Sequence, residues 1–97
     1  MDINEIRQDL NGKVKAIPPL GKKLKFLLDD QTVLIDGTGA SNVLSNVDEE
    51  ANTTITMSIE TYLKLQRGEI KPMIATLTGK IKVKGDSGLA QELKNLM

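Results

Sequence analysis

The spacing of hydrophobic positions changes several times along the chain, and each change predicts an element. Ile3, Ile6, Leu10 and Val14 share one helical face. Asp2 with Glu5 three residues later forms a capping pair that starts this helix. Gly12 weakens it and Pro18-Pro19 ends it. From Lys22 the period becomes two, with Leu24, Phe26 and Leu28 alternating with Lys23, Lys25 and Leu27, as a half-buried strand requires. Asp29-Asp30-Gln31 reads as a short turn into a second strand over 32–36, which makes an antiparallel hairpin.

Residues 37–52 are polar, small and glycine-bearing, with a short edge strand expected at 42–45. Thr53, Ile55 and Met57 then alternate with Thr54, Thr56 and Ser58, and their β-branched content makes a clear strand. Ser58 caps a following helix with Ile59, Tyr62, Leu63 and Gln66 along one side, which Gly68 stops after Arg67. Pro72 suits the first turn of a short helix carrying Met73 and Ile74. Over 79–85, Ile81 and Val83 fall on a dry face against Lys80, Lys82 and Lys84 on a wet one. After Gly85, Asp86 or Ser87 caps one amphipathic helix with Leu89, Ala90, Leu93 and Leu96 on its stripe. The order predicts an α+β domain with helices gathered on one face of a mostly antiparallel sheet.

Composition narrows the chemistry. At 97 residues the chain is expected to form one domain, 1–97, with a modest core. Thirteen basic and thirteen acidic residues cancel, so no overall charge draws the chain toward nucleic acid. Lys22, Lys23 and Lys25, Lys80, Lys82 and Lys84, and the acidic Asp48-Glu49-Glu50 are read as solvated faces, turns and protected sheet edges. There is no cysteine and no histidine, which removes thiol nucleophiles, disulfides, common zinc ligand sets and imidazole bases. The charged first ten residues and the lack of a long apolar run point to a soluble cytoplasmic protein. One Phe, one Tyr, no Trp and four Met leave an interior of adaptable aliphatic side chains.

Other candidate motifs fail on spacing. Gly37-Thr38-Gly39 begins like a dinucleotide fingerprint, but Asn42 stands where the third glycine belongs, so a turn is expected. Gly79-Lys80 has no upstream glycine of a phosphate loop. Asp29-Asp30 and Asp48-Glu49-Glu50 lack the alternating spacing of a calcium loop. No catalytic constellation, metal site or cofactor site is expected.

The stretch 55–96 resembles the sterol carrier protein type two family. Ile55-Thr56-Met57 matches the end of a family strand, and Leu63, Leu65 and Gly68 match its leucine-bearing helix and stop. Pro72, the alternating Gly79 to Val83, Gly85-Asp86, Gly88-Leu89-Ala90 and Leu93 to Leu96 follow in the family's order. The resemblance implies a five-stranded sheet with helices over one face, enclosing a hydrophobic cavity for acyl chains, fatty acyl-CoA, sterols or phospholipids. Its short N-terminal half departs from the family. Without a Ser-Lys-Leu ending, a bacterial cytoplasmic member is expected rather than a peroxisomal one.

The expected function is therefore non-enzymatic binding or transfer of lipid, with Leu63, Met73, Ile74, Leu77, Leu89 and Leu93 as cavity-lining residues. The alternative is an accessory module that presents a hydrophobic substrate to a partner enzyme. Expected partners are a hydrophobic small molecule such as a fatty acyl lipid, a membrane contacted transiently, and that enzyme; nucleic acid is not among them.

Overall fold

The computed structural model describes residues 2–96, so Met1 and Met97, which the expected domain also spans, lie outside the described residues. Helix α1 (Ile3–Lys15) is followed by β1 (Lys23–Leu28), β2 (Gln31–Asp36), β3 (Val43–Ser45) and β4 (Thr53–Met57). Then come α2 (Ile59–Gln66), α3 (Pro72–Leu77), β5 (Lys82–Gly85), α4 (Ser87–Ala90) and α5 (Leu93–Leu96). The five strands form one sheet in the order β3-β2-β1-β4-β5. Three pairings are antiparallel and β1–β4 is parallel, so the sheet is mixed.

Local chemistry explains most boundaries. Asp2 and Glu5 form the reciprocal capping box, and Ile6, Leu10 and Val14 of α1 are buried. Asp29 and Asp30 both take positive φ, 48° and 67°, which matches the twist of a two-residue hairpin turn. Leu24, Phe26 and Leu28 meet Val33 and Ile35 of β2 and Ile55 of β4 on the fully buried face of the sheet. The opposite face carries Lys23 and Lys25, and residues 46–52 cross it to take the chain from β3 to β4. Lys23 Nζ lies 2.7 Å from Glu49 Oε1, and Lys25 Nζ lies 3.0 Å from Asp48 Oδ1. Lys22 likewise pairs with Asp86. The first lysine cluster and the acidic run are thus partners, where solvated faces and turns were expected.

Asn42 holds the helix to the sheet. Its Nδ2 donates to the carbonyls of Val14 (2.8 Å) and Pro18 (3.1 Å), while its Oδ1 accepts from the Leu20 amide (2.9 Å). Gly37-Thr38-Gly39 is the turn that precedes it, as the spacing implied. A second polar network joins three helices. The Tyr62 hydroxyl donates to Asp9 Oδ2 (2.9 Å), and Gln66 Nε2 donates to the Tyr62 hydroxyl (3.1 Å) and the Leu96 carbonyl (3.2 Å). Burial, and then the neighbouring Asp9 carboxylate, hold the Tyr62 phenol above its ordinary pKa.

Three expectations change in detail. On α2 it is Leu65 that turns fully inward beside Tyr62, and Leu63 is only half-buried. The last strand starts at Lys82, because the Lys80 and Ile81 amides both donate to the Ala75 carbonyl and so belong to the end of α3. Lastly, the single C-terminal helix is two short ones. The Gln91 and Glu92 amides donate three residues back, to Gly88 and Leu89, which tightens the chain and breaks the helical ladder. Leu89, Leu93 and Leu96 stay buried across the break.

Candidate functional site

An open groove of ≈ 550 Å³ lies where α3, β5 and the two C-terminal helices meet. Helix α3 contributes Pro72, Met73 and Thr76, and β5 contributes Val83. The opposite wall is Ser87, Ala90, Gln91, Leu93 and Lys94. The volume falls within the range of small-molecule sites, and the lining is mainly aliphatic, with Lys94 as its one cation. Pro72 and Lys94 also border a second hollow of ≈ 360 Å³ that runs toward Leu65 and Ile70, so the groove continues past the end of α2.

The walls are aimed by two junctions. Helices α2 and α3 both end in the same way, with Gly68 and Gly79 at φ 71° and 78°. In each, the next amide bonds back to the helix, Glu69 to the Lys64 carbonyl and Lys80 to the Ala75 carbonyl. Helix α3 is anchored through Ala75, its one buried residue. The β5–α4 corner turns at Gly85, φ 104°. There the Asp86 amide donates to the Asn52 carbonyl (3.0 Å) and Thr53 Oγ1 donates to the Asp86 carbonyl (2.7 Å). Asp86 Oδ1 accepts from the amides of Gly88 (2.9 Å) and Leu89 (3.4 Å) and so caps α4.

The Lys22 ammonium, together with those two amides, holds the Asp86 carboxyl below its ordinary pKa. A lowered carboxylate pKa means the cap is fully present above the unfolded value and is lost as pH falls through the lower, folded value. In an acid titration followed by NMR, the Gly88 and Leu89 amides are expected to move together with a carboxyl that titrates below the ordinary aspartate range. An unshifted titration would contradict the cap.

Of the six expected lining residues, the structure brings Met73 and Leu93 to the groove. Leu63 packs against the core, and Leu89 is buried beside a separate hollow bordered by Lys22 and Asp86. Ile74 and Leu77 lie on α3 outside the groove wall. Val83 was expected on a covered face and instead stands 38% exposed in the groove, on the edge strand β5. Thr76, Gln91 and Lys94 escaped sequence reasoning, since no apolar period marks them. Among the described residues no group of acidic side chains is placed to hold a metal ion, and no helix is long and apolar enough to cross a membrane.

The same fold recurs in known proteins. SCP2-L2 from Aedes aegypti superposes with a TM-score of 0.75 at 19% identity, covering 98% of this chain and 95% of that one. A palmitated form of that protein superposes at 0.71. The UbiJ-SCP2 ubiquinone synthesis protein gives a TM-score of 0.71 at 18% identity, over 96% of this chain and 90% of that one. At such identities these matches show a shared fold. In sequence, the chain is 37% identical over 78 residues to sterol carrier protein 2 of Homo sapiens, which is 80% of this chain and 13% of that protein. The chain therefore spans about an eighth of the length of the curated relatives it matches, 13% of each. The family model for SCP-2 sterol transfer matches residues 3–97, from the first helix through the groove to the end of the chain. Fold and sequence agree, and the chain belongs to the SCP-2 sterol transfer family.

Proposed function

We propose that residues 1–97 act as one domain that binds the acyl chain of a lipid in the groove between α3, β5 and the C-terminal helices, and that it does so as a carrier without catalysis of its own. The observation that carries this reading is the aliphatic wall of Met73, Val83 and Ala90 over the buried Leu93, open to solvent in a chain whose sheet face is otherwise covered. Membership of a sterol transfer family and the palmitated state of a relative with this fold support it. Binding needs no polar chemistry, because each buried methylene contributes about 0.8 kcal/mol. A cytoplasmic site of action and little selectivity among head groups belong to the same proposal.

Calorimetry with fatty acids of increasing length tests it. Affinity is expected to rise about fourfold per methylene, with a negative heat-capacity change that grows with chain length. Ala90→Trp, which fills the groove from a half-buried position, is expected to weaken binding at least about tenfold and to leave the urea midpoint nearly unchanged. Failure of fatty acid, acyl-CoA and phospholipid to bind at solubility-limited concentrations would sink the carrier reading.

A second reading, an accessory module presenting a hydrophobic substrate to an enzyme, is favoured by the fold shared with a ubiquinone synthesis protein. Native mass spectrometry of protein purified from its own host separates the two. A co-purified lipid supports the carrier, and a retained protein partner supports the module.

A further inference from the structure

Helix α3 is apolar on the wrong side. Its only buried residue is Ala75, and at 100° per residue Met73 and Leu77 fall opposite it. They are 73% and 76% exposed, and Ile74 beside them is 47% exposed. Three large apolar side chains within five residues form a contiguous patch, the kind of surface that marks an interaction site.

The stretch of chain that carries the patch has charge of one sign. Residues 70–85 contain Lys71, Lys80, Lys82 and Lys84 and no acidic residue, in a chain whose charges otherwise cancel. Lys22, Lys23 and Lys25 each close an ion pair, whereas among the described residues none of these four does. Lys80 and Lys82 border a shallow hollow with Asp29 and Asp30 and form no ion pair across it. Strand β5 is an edge strand, and its Lys82 and Lys84, beside Thr56 and Thr54, stand at the margin of the sheet on stems long enough to turn their ammonium groups toward an adjoining surface.

We propose that α3 and the margin of β5 dock on an anionic lipid surface, with Met73, Ile74 and Leu77 entering the interface and Lys71, Lys80, Lys82 and Lys84 against the head groups. A protein partner is disfavoured by the hydrogen-bonding of the patch. The Thr76 and Thr78 hydroxyls are turned back on their own helix, donating to the Pro72 and Ile74 carbonyls (both 2.9 Å). A protein interface carries about one hydrogen bond per 100–200 Å², but hydrocarbon asks for none. The inference does not require the groove to hold an acyl chain.

Co-sedimentation with phosphatidylcholine vesicles, with and without phosphatidylserine, tests the proposal. The wild-type chain is expected to bind the phosphatidylserine vesicles alone and to lose binding as salt rises. Replacing Lys80, Lys82 and Lys84 together with Gln should weaken that binding roughly a hundredfold, since each lysine near an anionic bilayer contributes about a fivefold factor. Ile74→Ser with Leu77→Ser should weaken it at least about tenfold. All five positions are exposed, and urea unfolding checks that the fold survives. Fatty-acid titration of the lysine variant is expected to match the wild type. Binding insensitive to either variant, equal binding to both vesicle types, or no binding to phosphatidylserine vesicles overturns the docking surface. A chain that docks but fails to bind fatty acid overturns the groove reading alone.

Discussion

Gly85→Ala is expected to destabilise the protein by about 3 kcal/mol or more, which for a chain of this size lowers the melting temperature on the order of 15 °C. Two terms act together. The φ of 104° lies where residues with a side chain rarely go. A methyl group there would also overlap the Asn52 carbonyl oxygen and crowd Thr53, both backbone atoms that cannot rotate away. Gly88→Ala, three residues on, is the control. Its added carbon would approach only the Asp86 side chain, at 3.1 Å, and its φ is not positive. Inside α4 the gain in helix propensity offsets that contact, so a near-neutral result is expected. Because Gly85 aims both β5 and α4, its replacement should also abolish acyl-chain binding. Thermal unfolding and fatty-acid titration of the two variants read both effects, and equal stability for them would contradict the argument.

Asn42→Ala is expected to cost about 3 kcal/mol as well, by a different route. The amide side chain is buried and joins the Val14 and Pro18 carbonyls to the Leu20 amide. Its removal leaves the buried Val14 carbonyl without this partner, at roughly 1–3 kcal/mol, and weakens the half-buried contacts to Pro18 and Leu20. Asn42→Asp should be worse, since an oxygen replaces the donor and faces two carbonyl oxygens. Urea unfolding measures the loss, and amide exchange should rise first at the end of α1. A cost under about 1 kcal/mol would mean that the contacts rearrange.

What was legible in the sequence is what neighbouring residues decide among themselves. The capping box of α1, the short turn between β1 and β2, the alternation of β4 and the glycine stop after α2 are interactions within six residues. The parallel β1–β4 pairing is not of that kind, because Leu24 meets Thr53 only after the chain has crossed the sheet. The pairing of Lys23 and Lys25 with Glu49 and Asp48 depends on that same crossing. The break between α4 and α5 was hidden because Leu89, Leu93 and Leu96 keep their helical spacing through it.

The site was legible in part for a similar reason. In a six-residue helix, period alone does not say which side is inward, and with the small Ala75 buried, Ile74 and Leu77, expected to line the cavity, lie outside the groove. Met73 and Leu93 reach the groove from separate elements, and only the fold brings them together.

The slender attachment of α3 has a kinetic meaning. A segment held by Ala75 and the half-buried Ile70, with a left-handed glycine on either side, is expected to open locally at a free-energy cost well below that of unfolding the sheet. If an acyl chain lies against Met73 as proposed, its exchange is expected to follow local opening of this segment more closely than global unfolding. On that reading, sequence changes that raise the melting temperature through the sheet should leave exchange untouched, while a single larger side chain at Ala75 should alter it.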